Sequence, residues 1–147
     1  MMAEAVVVGI QIALATRLPM RSVDVIEIEA GVGIVGDRYH GTKHRHVTMQ
    51  SLEEIAEAEA DLGRPLDPIL TRRNITVSTG ALDRAPGARL TIGEVELEVV
   101  RDAAPCKLLE DSYGRDAKLA LHKRAGVVCR ALSSGVVRLG DELKPLV

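Results

Sequence analysis

The tetrapeptide Ala104-Pro105-Cys106-Lys107 holds the side chain best suited to chemistry in this chain. Pro105 has no N–H to give to a β-ladder, so the chain must leave a sheet there and present Cys106 at a strand end or rim. Lys107 beside it, with Arg101 close in sequence, offers a route to a lowered thiol pKa, and thiolate is the form that attacks electrophiles and binds soft metals. The competing reading is a small buried hydrophobe without chemistry, the habit of most free cysteines. Cys129, in Val127-Val128-Cys129-Arg130-Ala131, shares a strand face with Val127 and Ala131 and is expected in the core.

A second candidate runs from Gly31 through Gly33, Gly36, Asp37, Arg38, Tyr39 and His40 to Gly41, and continues over Lys43, His44, Arg45 and His46. Its glycines permit a loop whose N–H groups face an anion, and its cations add local positive charge. It is neither a P-loop, which needs Gly-Lys-Ser or Gly-Lys-Thr, nor a dinucleotide fingerprint, since no long helix begins there. His44 with His46 on a strand, or His40 with His44 on a helical turn, would suit zinc, but no carboxylate or thiol stands at a matching spacing. A solvated loop with incidental histidines is the alternative. The third candidate, Arg72-Arg73-Asn74, brings two guanidiniums and an amide to the start of a strand. Adjacent residues of an extended chain point to opposite faces, so one arginine at most would reach a given phosphate or carboxylate. A surface ion-pair cluster is the other possibility.

The elements that must position these groups are mostly strands. Short β-branched runs separated by glycine punctuation predict a closed or sandwiched antiparallel β fold. The clearest is the hairpin Leu90–Ile92, Gly93-Glu94, Val95–Val99, with Val95, Leu97 and Val99 on one face and Glu96 and Glu98 on the other. Further strands are expected at Val6–Ala13, Val23–Glu29, Asn74–Val77, Val127–Leu132 and Val136–Leu139, with a last one near Leu143. The neighbouring apolar pair Val25-Ile26 predicts a bulge or a bend. Ser51-Leu52-Glu53-Glu54 reads as a capping box opening a helix with an apolar stripe of Leu52, Ile55, Ala56 and Leu62, closed by Gly63. A second helix is expected from Asp116 to Arg124, with Ala117, Ala120 and Leu121 on one face.

A chain of 147 residues suffices for one domain and a real apolar core, and a single domain over 1–147 is expected. Nineteen Lys plus Arg against twenty-one Asp plus Glu, no Phe or Trp, and only two Tyr argue against nucleic-acid binding. The run Ala5–Ala15, interrupted by Gln11, falls short of the roughly 20 residues of a membrane span, and it lacks a basic leader. A cytoplasmic protein with free thiols and no membrane partner is expected. There is no Cys-x-x-Cys, serine elbow or His-Glu-x-x-His to suggest other chemistry.

Taken in order, Gly33 through Gly41, Arg73-Asn74-Ile75, Gly87 through Gly93, Pro105-Cys106-Lys107, Gly126 through Leu132, and Gly135 through Gly140-Asp141 resemble a MOSC domain, named for the C-terminal domain of molybdenum cofactor sulfurases. The resemblance covers almost the whole chain. It implies a mainly β protein, a compact antiparallel β-barrel with two to three short helices. It also implies that Cys106 is the functional residue, either a thiolate ligand of molybdenum in molybdenum cofactor (molybdopterin) or a persulfide-bearing sulfur carrier. In the first reading Arg72 or Arg73, with Asn74, holds the pterin phosphate, and Asp37, Arg38, His40 and Lys107 complete the site. The family often places histidine where Tyr39 stands, and many members read Gly-Glu-Asn where this chain has Arg72-Arg73-Asn74.

Three functions follow as expectations. The leading one is a stand-alone protein that binds molybdenum cofactor and reduces N-hydroxylated compounds with electrons from a redox partner. The second is a sulfur carrier or transferase served by a cysteine desulfurase. The third is a non-catalytic small-anion or cofactor-binding module with an inert Cys106.

Overall fold

The structure is a computed structural model and describes residues 4–105, 111 and 113–146. Eleven strands and two α-helices are assigned among these residues: β1 (Val7–Ile12), β2 (Arg21–Ser22), β3 (Val25–Glu29), β4 (Gly33–Ile34), β5 (Val47–Ser51), α1 (Leu52–Leu62), β6 (Ile75–Val77), β7 (Arg89–Ile92), β8 (Val95–Asp102), α2 (Arg115–Ala120), β9 (Val127–Ala131), β10 (Gly135–Arg138) and β11 (Leu143–Leu146). A 3₁₀ turn over Pro68–Thr71 precedes β6.

Eight strands form one curled sheet in the order β11-β7-β8-β9-β5-β6-β1-β2, and β10-β3-β4 form a second, smaller sheet. The curl brings the sheet's two sides together at one point. Val6 and Glu142 make an isolated antiparallel bridge, flanked by Val7 N–H to Asp141 O at 2.8 Å and Leu143 N–H to Ala5 O at 2.9 Å. Inward residues of β1, β5, β7, β8 and β9, among them Ile10, Met49, Ile92, Leu97 and Cys129, fill the concave side as one apolar cluster. A second cluster of Ile55, Ala58, Leu66, Ala117, Leu121 and Ala125 joins α1 to α2.

The β7–β8 hairpin follows its sequence pattern: Val95, Leu97 and Val99 are buried, Glu96 and Glu98 half-buried, and Gly93 turns at φ +55°. The mainly β, mostly antiparallel architecture is as expected, with β5 and β6 pairing in parallel among the described strands. Some finer expectations need correction. Val25-Ile26 forms no bulge. Val25 simply faces solvent while Ile26 is buried, and the register shifts instead in β1 between Val7 and Gly9 and in β8 between Val99 and Arg101.

The capping box does not form either. Ser51 Oγ donates to Gly80 O at 2.6 Å, while Glu54 accepts from Leu82 N–H and pairs with Arg84 at 2.7 Å. Both side chains are drawn into the sheet-side packing rather than onto the helix end. Within α1, Leu52, Ile55 and Leu62 form the packed stripe as expected, but Ala56 is exposed and Ala58 takes its place in the packing. Helix α2 starts at Arg115 and ends at Ala120, and the remainder of the expected helix is a turn in which Lys123 takes φ +58°. β5 was not foreseen as a strand: all five of its residues are buried.

Candidate functional site

Arg73 is the organising cation of the region that leads to Cys106. Its side chain is buried (2% exposed), its Nε donates to Ala125 O at 2.7 Å, and its Nη2 donates to Ala104 O at 2.6 Å. One planar guanidinium thus joins the segment leaving β8 to the segment entering β9. Ala103 N–H to Gly126 O, at 2.9 Å, adds a second tie between the same two segments. Cys106 and Lys107 follow Pro105 in the chain and lie outside the described residues.

Arg72 does not sit on an extended chain, as the alternation argument had assumed. It caps the 3₁₀ turn in the left-handed region at φ +63°, and that geometry separates it from Arg73. Its Nη1 donates to Leu18 O at 2.8 Å, and its carbonyl accepts from Arg38 Nη2 at 3.1 Å. Asn74 is 1% exposed and works inside the sheet. Its Oδ1 accepts from the N–H and the hydroxyl of Thr48, each at 3.0 Å, and its Nδ2 donates to Gln11 O at 3.1 Å. The amide therefore bridges β5 to β1 across the start of β6.

Asp37 and Arg38 close the glycine-rich loop onto the end of β1. Asp37 Oδ1 accepts from Ala13 N–H at 3.1 Å and from Arg38 Nη1 at 3.1 Å, and its Oδ2 accepts from Tyr39 N–H at 3.3 Å. The Arg38 and Arg45 guanidiniums lie 4.4 and 4.2 Å from the centre of the Tyr39 ring, a cation–π arrangement that holds the loop's cations together. His40 is turned away to Glu29 Oε1 at 2.9 Å. His46 is fully buried. Its Nδ1 accepts from Ala131 N–H at 2.9 Å, so the proton resides on Nε2, which donates to Thr42 O at 2.8 Å. Burial lowers its pKa from the ordinary 6.5, the Thr42 hydrogen bond opposing. The histidines do not converge, and among the described residues no three His, Cys, Asp or Glu side chains stand close enough to hold a metal.

The cleft beside Pro105 has a volume of about 310 Å³ and is lined by Ala104, Pro105, Arg115, Lys118, Leu119 and His122. The last four belong to α2 and the turn that follows. Two other clefts, of about 270 and 380 Å³, share Ala81, Leu82, Leu143 and Pro145, and their linings hold no cysteine or histidine. Sequence reading attended to the apolar positions of α2 and passed over its cations, although Arg115, Lys118 and His122 recur at helical spacing. Cys129 lies in the core, as its strand pattern predicts, and burial pushes its thiol up to about 12.

The curled sheet, with a cleft lined by Arg115, Lys118 and His122 beside Pro105, is the frame into which the family comparison falls. The family model of the MOSC domain matches residues 36–144, and the chain belongs to the MOSC domain family. Among solved structures the fold resembles the YuaD protein of Bacillus subtilis (TM-score 0.81, 22% identity, covering 97% of this chain and 96% of that one). It also resembles YiiM of Geobacillus stearothermophilus (0.71, 17%, 97% and 75%) and YiiM of Escherichia coli (0.68, 15%, 98% and 69%). No curated protein matches the chain. Among the described residues no helix is long and apolar enough to cross a membrane.

Proposed function

We propose that this MOSC protein binds molybdenum cofactor, with the Cys106 thiolate as a ligand of the metal and the cleft beside Pro105 as the seat of the organic part. The observation that carries the reading is the Arg73 clamp: a buried guanidinium is spent on fixing, through Ala104 O, the segment that leads into Pro105 and Cys106.

The residues fit the group. Cys106 would supply one soft thiolate to a metal whose remaining sulfur ligands belong to the pterin. The cleft is at the low end of the range for small-molecule sites and carries a basic lining suited to an anionic molecule. When bound, the cofactor supplies the two-electron couple. The protein's part is to hold the thiol in place and to receive substrate in the open cleft. The overall reaction consistent with the family is R–NHOH + 2 e⁻ + 2 H⁺ → R–NH₂ + H₂O, with electrons from a donor protein.

Elemental analysis for molybdenum tests this on protein expressed in cells able to make the cofactor, beside Cys106→Ser. The expected result is stoichiometric metal in the wild type and none in the variant. Metal absent from wild type that was purified anaerobically and handled without dialysis overturns the reading, and a persulfide on Cys106 in the same sample would establish sulfur transfer instead.

A further inference from the structure

The outward face of the small sheet leaves apolar and charged side chains side by side and uncovered. Ile26, Ile28 and Val137 point into the core, so Val25 and Glu27 on β3 share the opposite face with Val136 and Arg138 on β10. The register sets these four as the corners of a rectangle: Val136 lies across from Glu27, and Arg138 across from Val25. Val35, whose N–H donates to Glu27 O at 2.9 Å, continues the first row on the other side of β3. Val25 and Val35 are 48% and 41% exposed, Glu27 and Arg138 are exposed, and Val136 is half-buried. Glu27 and Arg138 stand diagonally across the strand pair, a separation that long side chains can span. Yet among the described residues neither side chain has an ion-pair or hydrogen-bonded partner. The β10 edge is closed by contrast. Val136 N–H is taken by Glu94 Oε1 and Arg138 N–H by Asp141 Oδ2, each at 2.8 Å, which blocks the addition of a further strand. What β10 offers a partner is therefore its face.

We propose that this face is a two-fold contact between two copies of the chain. A two-fold axis lying along the Val25–Val136 diagonal exchanges the other two corners of the rectangle. Glu27 then meets the partner's Arg138, Arg138 meets the partner's Glu27, and each of the two valines meets its own counterpart. The pattern is self-complementary: opposite charges face each other at two symmetry-related points, with the apolar diagonal between them. An unrelated protein would have to reproduce both the signs and the spacing, whereas a second copy carries them by construction. The two small sheets would cross steeply, as in orthogonally packed sheets. Three short strands make a small interface, so the dimer forms in a concentration-dependent way. The proposal is independent of the cofactor reading, because β8, the strand that leads toward Cys106, belongs to the other sheet.

Analytical ultracentrifugation of the full chain from about 5 to about 500 µM tests it, the range in which a small interface associates. It is run on the wild type, on Glu27→Arg, on Arg138→Glu and on the double reversal Glu27→Arg/Arg138→Glu. The changes replace exposed side chains, and circular dichroism checks that each variant is folded. The wild type should pass from monomer to dimer across the range. Each single reversal opposes like charges at both symmetric points and should weaken association on the order of tenfold or more, and the double reversal should restore it. A wild type that stays monomeric at the top of the range overturns the proposal. So does a dimer that both single reversals leave intact, which would place the contact on another surface. A double reversal that associates no better than the single ones overturns it as well.

Discussion

The α-carbon of Gly126 lies against the carbonyl of Met49 so closely that a β-carbon on Gly126 would stand 1.8 Å from the Met49 oxygen. The residue also takes φ +101°, a conformation that side chains disfavour. Contact and dihedral together fix where β9 begins against β5, and Gly126 O in turn holds Ala103 N–H. Gly126→Ala is therefore expected to cost on the order of 2–4 kcal/mol, at the upper end of what single substitutions do. Denaturant unfolding reads it directly, and a midpoint equal to wild type would show that the strand can retreat from Met49 at no cost.

Arg73→Lys should keep the charge and lose the fork. A single ammonium on a different stem cannot bridge Ala104 O and Ala125 O in the same plane. The expected outcome is a folded protein in which Cys106 reacts with a thiol reagent at a rate changed at least severalfold, and in which metal retention falls. An unchanged thiol rate would mean that the clamp does not govern the segment beyond Pro105.

Asn74→Ala should act on stability rather than on ligand affinity. It removes the acceptor of two Thr48 groups and the donor to Gln11 O, all buried, and should cost about 2–4 kcal/mol. Equilibrium unfolding and molybdenum content measured on the same variant separate the two roles. Normal stability with lost molybdenum would return Asn74 to the ligand.

Cys129 should be silent to thiol reagents in the native protein, since it is fully buried and its thiol is raised to about 12. Cys106→Ser, which leaves Cys129 as the remaining cysteine, should release no thiol signal until denaturant is added. A fast-reacting thiol in that native variant would contradict the placement of Cys129 in the core.

His46 makes a definite contribution to the pH dependence of stability. Burial, the largest cause, holds its folded pKa below 6.5, so the unfolded chain takes up a proton that the native state resists. Protonation would also set an Nδ1–H against the Ala131 N–H. The stability it confers is fully present above pH 6.5 and is lost as pH falls below that value toward the folded pKa. The stability gap between wild type and His46→Gln should accordingly narrow between pH 7.5 and pH 5, measured by urea unfolding. A gap of constant size would remove this role.

The β7–β8 hairpin was legible in the sequence because a sheet with one buried face writes a period of two into its residues. In β9 the burial of Cys129 was legible from its residue type, although Val128 is buried beside it. β5 was not, because Thr48, Gln50 and Ser51 are buried yet polar. Their partners Asn74, Thr76 and Gly80 are supplied from elsewhere in the chain, so no local pattern announces them. The site behaved similarly. Its loops and cations could be named from their types, but the Arg73 link to Ala104 and Ala125 is a long-range fact. So is the diversion of Ser51 and Glu54 from capping, since it depends on where Gly80 and Arg84 come to rest.

The bridge between Val6 and Glu142 has a kinetic consequence. It couples the first described strand to the last, the most sequence-distant pairing in the sheet, and β11 must reach β7 and the start of β1 at once. Closing so long a loop costs chain entropy before any contact repays it, which puts this topology among the slow folders, on the order of milliseconds to seconds. On the ribosome, the curled sheet stays unjoined until the residues around Leu143 have emerged, and until then the edge of β7 is bare for other chains to pair with.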